Sequence, residues 1–439
     1  MALSKIVIVG AGPSGLLLAL LLARAGITVE LLEMTSALDT NPRASHYTPE
    51  SCIEFERAGI LAQVRAEGFS PNGVSWRKMD EAKTRLVALR NPDPAPGQED
   101  DEPFRYRMVC LPLHRLGKIL ETAVLAQPTA SIRYGYKVID IGQDSSKAWV
   151  DVEVTAPDGS GPITPARVEA DYIIGCDGAN SIIRRRLFGD WEFPGFTWDK
   201  QIVATNMYYD FTPYGYDDSQ FFVHPEHWHM VAKIQTDGLH RVTYGEIAGL
   251  TTEELRARQP GKFRDILPGN PEPGEYKLVN FSPYKVHQRC AERMRVGRFV
   301  LAADAAHLCN PFGGLGLTGG IADVGSLYET LVGIDTGRAA DADAILDRYD
   351  TERRRIWHDI INPTSQENMR RLFVYPDADE AMKKDTFFKM LKRMEKGQAG
   401  VAGDEVEAEE EEKEEEGGGE PNPGMVSLRY DMTQHYDNV

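Results

Sequence analysis

The residues best suited to chemistry near the start of the chain form a glycine-rich turn. An apolar, β-branched run over residues 6–9 predicts a buried strand that leads into it, and residues 16–25 predict a helix. A second predicted strand ends at Glu33. In such a βαβ unit the glycines let a pyrophosphate approach the helix N-terminus, and the acid holds ribose hydroxyls. We therefore predict dinucleotide binding by Gly10, Gly12, Ser14, Gly15 and Glu33.

Two later patterns place an acid at the end of a predicted strand. Asp177 follows the apolar run 172–174 and opens a basic helix. Asp304 ends a second buried run, where its carboxylate could hold a ribityl hydroxyl. Residues 311–317 then combine proline with glycines at a helix start. Such a helix N-terminus favours negative charge, as on the N1–C2=O edge of a reduced flavin.

In this order and at these distances, the three patterns resemble those of class A flavoprotein monooxygenases, the para-hydroxybenzoate hydroxylase-like family. The resemblance covers roughly residues 1–350 and is nearest to fungal secondary-metabolite or phenol hydroxylases. It implies that FAD, NAD(P)H and O2 hydroxylate an aromatic or other electron-rich small molecule through a flavin C4a-hydroperoxide. It also implies that Asp304 holds the ribityl and pyrophosphate region, that Asp177 serves both FAD and NAD(P)H, and that Pro311, Gly314, Gly316 and Leu317 border the isoalloxazine.

Two further cofactor contacts follow from the resemblance. Arg43 and Ala44 occupy a loop that contacts ribose and flavin in the family. The family often has Arg or Gln where this chain has Leu113, so Arg115 is the predicted substitute. The chain also departs from the family at Leu315 and near Thr318, where Gln and Asn are common.

The substrate is expected on a sheet predicted over residues 202–246, where aromatic and β-branched residues dominate. Polar side chains in this segment could orient a phenol and take its proton. Because only alternate residues of a strand share a face, about half of the candidates must point elsewhere. The candidates are Asn206, Tyr208, His224, His229 and Tyr244, of which Tyr208, His224 and Tyr244, together with Pro311, are the predicted catalytic residues.

The predicted fold is α/β, with a Rossmann-like FAD-binding domain, an inserted mixed β-sheet substrate domain and a C-terminal helical section. A tail with several apolar residues follows an acidic linker and could dock on the rest of the chain. The predicted boundaries are 1–75, 104–190 and 285–340 for the FAD-binding domain, 76–103 and 191–284 for the substrate domain, 341–396 for the C-terminal helices, 397–424 for a disordered linker and 425–439 for the tail.

Charge and composition exclude several classes of function. Residues 404–420 carry eleven acids and one lysine, so the rest of the chain has a net charge of −8 out of −18. No basic stripe would bind nucleic acid. The apolar run at 16–23 is too short to span a membrane, so we expect no membrane partner. Five cysteines without CxxC spacing favour a reduced, cytoplasmic location.

The histidines, the three consecutive arginines and the acidic tract are interpreted without a metal site or a further binding function. The histidines lack the spacing of a metal site, and we predict no metal. Arg353, Arg354 and Arg355 are predicted to pair with local acids on an exposed helix. The acidic tract is expected to be a solvated tail.

Several alternatives stay open at this point. The same fold could support an epoxidase, a Baeyer–Villiger enzyme, a reductase or an oxidase, whereas the halogenase motif WxWxIP is absent. The remaining class is a flavin-bound interaction protein in which the acidic tail is the functional part. The sequence decides neither the substrate, nor NADH against NADPH, nor the oligomeric state.

Overall fold

The protein is described here from a computed structural model, which covers residues 2–39, 45–95, 97–98, 101, 104–156, 162–398 and 427–438. Arg43, Ala44 and the acidic tract lie outside the described residues. The helices are α1 (Pro13–Arg24), α2 (Pro49–Arg57), α3 (Leu61–Glu67), α4 (Leu113–Leu125), α5 (Ile182–Phe188), α6 (Thr252–Ile266), α7 (Leu315–Asp335), α8 (Ala342–Ile356), α9 (Asn362–Arg370), α10 (Ala378–Lys384) and α11 (Thr386–Gln398). Short 3₁₀ turns cover Thr212–Tyr214, Ala303–Ala305 and Met432–Asn438, and a π-helical turn, Trp357–Ile361, joins α8 to α9.

The strands fall into two large sheets and two small ones. They are β1 (Ile6–Val9), β2 (Val29–Glu33), β3 (His46–Tyr47), β4 (Gly73–Lys78), β5 (Arg85–Arg90), β6 (Val109–Cys110), β7 (Ala130–Tyr134), β8 (Tyr136–Gln143), β9 (Ala148–Val154), β10 (Thr164–Ala170), β11 (Tyr172–Gly175), β12 (Gly195–Tyr208), β13 (Ser219–Val223), β14 (His229–Lys233), β15 (Leu239–Ile247), β16 (Lys277–Cys290), β17 (Arg295–Val296), β18 (Phe299–Leu301) and β19 (His307–Leu308).

The first sheet has the order β17-β18-β11-β1-β2-β7, and all of its neighbouring strands are parallel except β17 and β18. Its central strands β1, β11 and β18 are buried along their whole length, as their unbroken apolar runs predict. Because parallel strands end at the same edge, Gly10, Glu33, Asp177 and the turn at Asp304 are brought to one side of the sheet.

Residues 164–175 form two strands that belong to different sheets. Strand β10 pairs with β9 in a three-stranded sheet, whereas β11 joins the parallel sheet. Asp171 lies at the break, and its carboxylate accepts a hydrogen bond from the Lys5 backbone N–H at 3.0 Å. At this point strand pairing is interrupted, and the Asp171 side chain instead bonds to the segment that leads into β1.

The second large sheet is mixed, with the order β19-β16-β12-β15-β14-β13-β4-β5. Its neighbours are antiparallel except for β13 and β4, which run parallel. The outer face is covered by α6, where Val203, Val242 and Tyr244 pack against Phe263. On the inner face, Ile202 packs in one cluster with Phe312, which lies directly before the start of α7. The inner face therefore points toward the predicted flavin-binding segment.

The C-terminal part contacts both sheets. Helix α11 lies along β5, where Glu395 accepts a hydrogen bond from the Ala88 N–H at 2.8 Å. Residues 427–438 instead pack beside α7, with Leu428 and Met432 buried. Among the described residues, none of the helices combines the length and apolar character needed to cross a membrane.

The sheet interior predicts how stability depends on pH. His229 is fully buried and stacks on Phe222, and burial lowers its pKa to about 3. In the unfolded chain a histidine is protonated below about pH 6.5. The free energy of unfolding should therefore fall as pH drops from about 6.5 toward 3, by about 1.4 kcal/mol per pH unit for this residue.

His229→Phe should make the urea midpoint less sensitive to pH in this range, while the exposed His358→Gln serves as the control for removing one imidazole. An identical pH dependence for wild type and His229→Phe would contradict this assignment.

Candidate active site

The glycine-rich turn and the Asp177 turn are in direct contact. Gly10 has a φ of +104°, and a Cβ there would lie 2.5 Å from the carbonyl oxygen of Cys176. A Cβ at Gly15 would lie 2.0 Å from the carbonyl oxygen of Gly10. The Asp177 carboxylate accepts a hydrogen bond from the Ile182 N–H at 2.7 Å and so holds the start of α5. Both glycines are required by the close approach of backbone segments.

Gly12 differs, because a Cβ at this position would meet no atom within 4 Å. It caps α1, which has no side-chain cap, so the first N–H groups of the helix can bind an anion. Glu33 lies beside this open space and accepts a hydrogen bond from the Ala11 N–H at 2.8 Å. The predicted pyrophosphate and ribose positions are thus adjacent and sterically available.

The turn Ala303–Ala305 presents Asp304 at the surface of the same region. Arg184 of α5 donates a hydrogen bond to the carbonyl of Ala305 at 2.9 Å, which ties the Asp177 segment to this turn. A Cβ at Gly320 would lie 2.7 Å from the Cβ of Ala303 and 3.4 Å from the Oγ of Ser14. All three sequence patterns therefore converge at one edge of the parallel sheet.

The start of α7 completes this region. Gly313 and Gly314 have φ values of +103° and +69°, and a Cβ at Gly314 would meet nothing within 4 Å. No side chain caps the helix, and Pro311 before it is exposed. Open backbone N–H groups at a helix N-terminus are suited to the electron-rich edge of a flavin. The uncapped starts of α1 and α7, the carboxylate of Glu33 at the end of β2 and the exposed Asp304 are suited to the phosphates, the ring system and the hydroxyl groups of FAD.

A buried carboxylate holds the Asp304 turn from behind. Asp323 is fully buried and accepts hydrogen bonds from the Ala303 N–H at 2.9 Å and from the Nε2 of His307 at 2.7 Å. Its other oxygen accepts from the Nε of Arg353 at 2.6 Å. Burial alone would raise the pKa of Asp323, but His307 and Arg353 hold it at about 2. Asp323 is thus an ionised group inside the core.

This network corrects the prediction for the three consecutive arginines. Arg354 and Arg355 do pair with the local acids Asp350 and Glu352. Arg353, however, is fully buried and pairs with Asp323 of α7. It lies on the face of α8 that points into the molecule, so a distant acid in the core replaces a local partner.

Arg115, the predicted substitute for a ribityl contact, forms an ion pair with Glu67 of α3 at 3.0 Å. Leu113, whose position the family often fills with Arg or Gln, begins α4 and packs against the main core. A ribityl contact by Arg115 stays a prediction, and the geometry gives it no direct support.

The strand register separates the predicted substrate-binding residues. Asn206 and Tyr208 belong to the inner-face set of β12, and the Tyr208 hydroxyl donates to Asp237 at 2.9 Å. Tyr244 and His229 lie opposite each other on the outer face, under α6. His224 accepts hydrogen bonds from the backbone N–H groups of Glu226 and His227 in a turn after β13.

This placement argues against direct catalytic roles for Tyr244 and His229. Burial raises the pKa of Tyr244 well above its usual value, and its ring packs against Phe263. Both side chains fill the core between the sheet and α6. The alternation of strand residues predicted such a division, but it could not decide which half faces the flavin segment.

The inner face carries a polar group that the sequence analysis mostly missed. Arg241 lies opposite Asn206 in the ladder and donates from its Nε to the Asn206 side-chain oxygen at 3.0 Å. Tyr284 on β16 pairs with Ile202, lies near Arg241, and exposes 37% of its surface. Burial and then Arg241 lower the pKa of His46 to about 4. We call these four residues, His46, Asn206, Arg241 and Tyr284, the inner-face polar cluster.

His46 joins this cluster to the cofactor region. It belongs to β3, directly after the loop in which the sequence places Arg43 and Ala44. The Nδ1 of His46 lies 3.1 Å from the Oγ of Ser45, and its buried Nε2 has no hydrogen-bond partner among the described residues. A buried nitrogen of this kind is expected to find a partner, such as a ligand or an ordered water. His46 thus connects β3, which follows that loop in the chain, to Arg241 on the substrate sheet.

Comparison with known proteins agrees with this geometry. The family model for an FAD binding domain matches residues 4–364. The para-nitrophenol 4-monooxygenase of a Pseudomonas species is 35% identical over 88% of this chain and 91% of that protein. The 6-hydroxy-3-succinoylpyridine 3-monooxygenase of Pseudomonas putida is 36% identical, over 84% of this chain and 89% of that protein.

Solved structures show the same relationship. The crystal structure of p-nitrophenol 4-monooxygenase from Pseudomonas putida has a TM-score of 0.79 at 32% identity, covering 90% of this chain and 96% of that one. The flavin-dependent monooxygenase PieE, solved with FAD and substrate, has a TM-score of 0.72 at 21% identity, covering 91% and 71%. The second likeness establishes the fold alone.

The chain belongs to the FAD binding domain family and is an FAD-dependent monooxygenase. The predicted family, fold, enzyme class and cofactor are thereby confirmed, with NAD(P)H as the co-substrate typical of the family. A place in secondary metabolism stays a prediction.

The different surroundings of two glycines predict different outcomes of the same substitution. Gly12→Ala should fold normally but weaken FAD binding about tenfold or more, because its methyl group occupies the space open to the pyrophosphate. Gly15→Ala should destabilise the protein itself by about 1–3 kcal/mol, because its methyl group collides with the Gly10 carbonyl.

Thermal unfolding without FAD and FAD titration by flavin fluorescence would separate the two effects. Equal losses of apoprotein stability in both variants would show that Gly12 is structural and not a cofactor contact.

Proposed function

We propose that this enzyme hydroxylates a single-ring phenol or hydroxypyridine at the carbon para to the ring hydroxyl. The observation that carries the proposal is the inner-face polar cluster, which shares a face of the substrate sheet with Ile202, the residue that packs with Phe312 before α7. Two relatives at 35 and 36% identity support it. Both names place the new oxygen on a ring carbon para to the hydroxyl, and that carbon already carries a nitro or succinoyl group.

The charge of the cluster suits a phenolate. Arg241 is the cation of the cluster, and burial keeps His46 neutral at physiological pH. A guanidinium close to the ring hydroxyl lowers its pKa and favours the anion. The phenolate in turn raises the electron density at the para carbon, where oxygen is to enter. Arg241 thus both orients the ring and increases its reactivity.

The neutral members of the cluster have complementary roles. Tyr284 is protonated at physiological pH, as a tyrosine with an ordinary pKa of about 10 is, and can donate a hydrogen bond to the phenolate. Asn206 accepts from Arg241 and fixes the plane of the guanidinium. The unpartnered Nε2 of His46 can exchange a hydrogen bond with the bound ring or with a water molecule. These residues bind and orient the substrate anion.

The remainder of the site excludes water and holds the cofactor. When bound, FAD takes electrons from NAD(P)H and activates O2. Glu33, Gly12 and Asp304 are proposed to hold its nucleotide half, and the open start of α7 its ring system. Ile202, Trp228 and Phe312 form an apolar cluster beside the inner face. Such a dry wall strengthens the electrostatic effect of Arg241 on the substrate.

Oxygen entry at a carbon that bears a nitro group has a distinct product. The balanced reaction converts the nitrophenol, O2, NAD(P)H and a proton into a quinone, nitrous acid (present as nitrite), water and NAD(P)⁺. With para-nitrophenol we therefore expect one nitrite for each NAD(P)H consumed, and one atom from ¹⁸O₂ in the released water. Nitrocatechol with its nitro group retained would show ortho attack and overturn the proposed position.

Removal of the cluster's cation should affect the substrate and not the cofactor. Arg241→Gln should raise the KM for a para-substituted phenol about 10- to 100-fold, as expected for the loss of a charged hydrogen bond worth about 1.5–3 kcal/mol. Its activity should also rise more steeply with pH than that of the wild type, because the phenol then ionises at its solution pKa.

Arg256→Gln provides the matched control, since Arg256 lies on α6 over Phe281 and belongs to the outer side of the sheet. Steady-state kinetics and FAD titration of both variants test whether Arg241 binds the substrate and not FAD. An unchanged KM in Arg241→Gln, or an equal loss in both variants, would exclude Arg241 from substrate binding.

A further inference from the structure

The last described residues of the chain are linked to the Asp304 turn through the core. We propose that residues 427–438, which we call the C-terminal strap, act with Arg353 and Asp323 as positioning elements that raise the affinity of the enzyme for FAD. The inference depends on FAD binding and does not depend on which aromatic substrate is used.

The first link joins Asp323 to the turn. Ala303 has a φ of +56°, a left-handed conformation that is unfavourable for alanine. The Asp323 carboxylate accepts a hydrogen bond from the N–H of this residue at 2.9 Å. The next residue is Asp304, which is exposed and is the predicted contact of the ribityl region. The hydrogen bond thus stabilises the conformation that presents Asp304.

The second link joins Asp323 to the strap through Arg353. The guanidinium donates to Asp323 at 2.6 Å, to the carbonyl of Leu428 at 2.6 Å and to the carbonyl of Gly319 at 3.3 Å. Arg353 is fully buried, and a buried guanidinium is strongly destabilised when it loses an acceptor. The position of Leu428 therefore influences where Arg353 holds Asp323.

The strap also has its own docking contacts, which are with α2 and α7. The Leu428 N–H donates to Glu50 at 2.8 Å, and Arg429 donates to Glu54 at 3.0 Å, both on α2. The Met432 N–H donates to the carboxylate of Glu329 on α7 at 2.8 Å. Met432 and Leu428 are both buried. The strap is thus part of the core that surrounds the cofactor turn.

Coupling between two sites is reciprocal in free energy. If the docked strap favours the turn that binds FAD, bound FAD must favour the docked strap by the same factor. The effect can therefore be measured from either end, on the cofactor or on the strap, without reference to turnover.

The primary experiment uses the full-length wild-type protein. Hydrogen exchange of the Leu428–Met432 amides is measured with and without saturating FAD. We expect FAD to slow exchange in this segment about tenfold or more, alongside slower exchange at the start of α1. Slower exchange at α1 with no change in the strap would overturn the proposal.

A variant pair tests the same coupling from the cofactor side. Arg353→Gln should raise the Kd for FAD about tenfold or more, with partial recovery in Arg353→Lys, which keeps the charge. Arg355→Gln is the matched control, because Arg355 lies on the same helix but pairs with Glu352 at the surface. An FAD Kd in Arg353→Gln equal to that of the control would overturn the positioning role.

Two safeguards keep the outcomes distinct. If Arg353→Gln does not fold, the exchange experiment on the wild type still decides the proposal. If no phenol is hydroxylated, the proposed substrate fails, whereas the comparison of FAD affinities and exchange rates is unaffected. Failure of the strap and failure of the proposed reaction are therefore distinguishable.

Discussion

One buried carboxylate, that of Asp323, determines how the elements around the cofactor region fit together. It receives hydrogen bonds from a backbone turn, from His307 and from Arg353, and it lies on the helix that begins beside the predicted flavin position. Removing an ionised carboxylate from water costs free energy unless hydrogen-bond donors and a positive charge replace the water. The turn, α7 and α8 must therefore keep a fixed relative arrangement. The parallel sheet connects these elements to Gly10 and Glu33.

The substrate sheet is constrained in a different way. Its outer face is an ordinary apolar interface with α6, in which Tyr244 and Phe263 pack edge to face. Its inner face combines an apolar cluster near Phe312 with a charged, hydrogen-bonded group around Arg241. One face of the sheet thus packs against α6, whereas the other is the face on which we propose that an anionic ring binds. The direction of each side chain follows from strand register alone.

What the sequence could predict was determined by how local each signal is. The glycine-rich turn, the Asp177 turn and the Asp304 turn are contiguous patterns, and the structure brings all three to one sheet edge. The inner-face polar cluster is assembled from β3, β12, β15 and β16, so only tertiary structure reveals it. Asn206 was predicted from its residue type, whereas His46, Arg241 and Tyr284 received no substrate role.

The buried arginine was missed for a related reason. Local acids are available to all three neighbouring arginines, and the sequence offers no sign that one of them points into the core. Asp323 lies in a helix rich in apolar and small residues that contains no basic side chain to pair with it. Its partners come from α8 and from the turn before α7, which only long-range packing brings together.

Leu428 lies 75 residues after Arg353 in the chain, and this order has a consequence for biosynthesis. A protein made from its N-terminus completes the parallel sheet, α7 and α8 before the ribosome reaches this residue. Until then the guanidinium of Arg353 lacks one of its acceptors, although Asp323 is already available to it. The nascent enzyme thus contains every predicted FAD-contacting residue before the core behind them is complete. The contacts behind the cofactor region are therefore complete only after residue 428 has been synthesised and has reached Arg353.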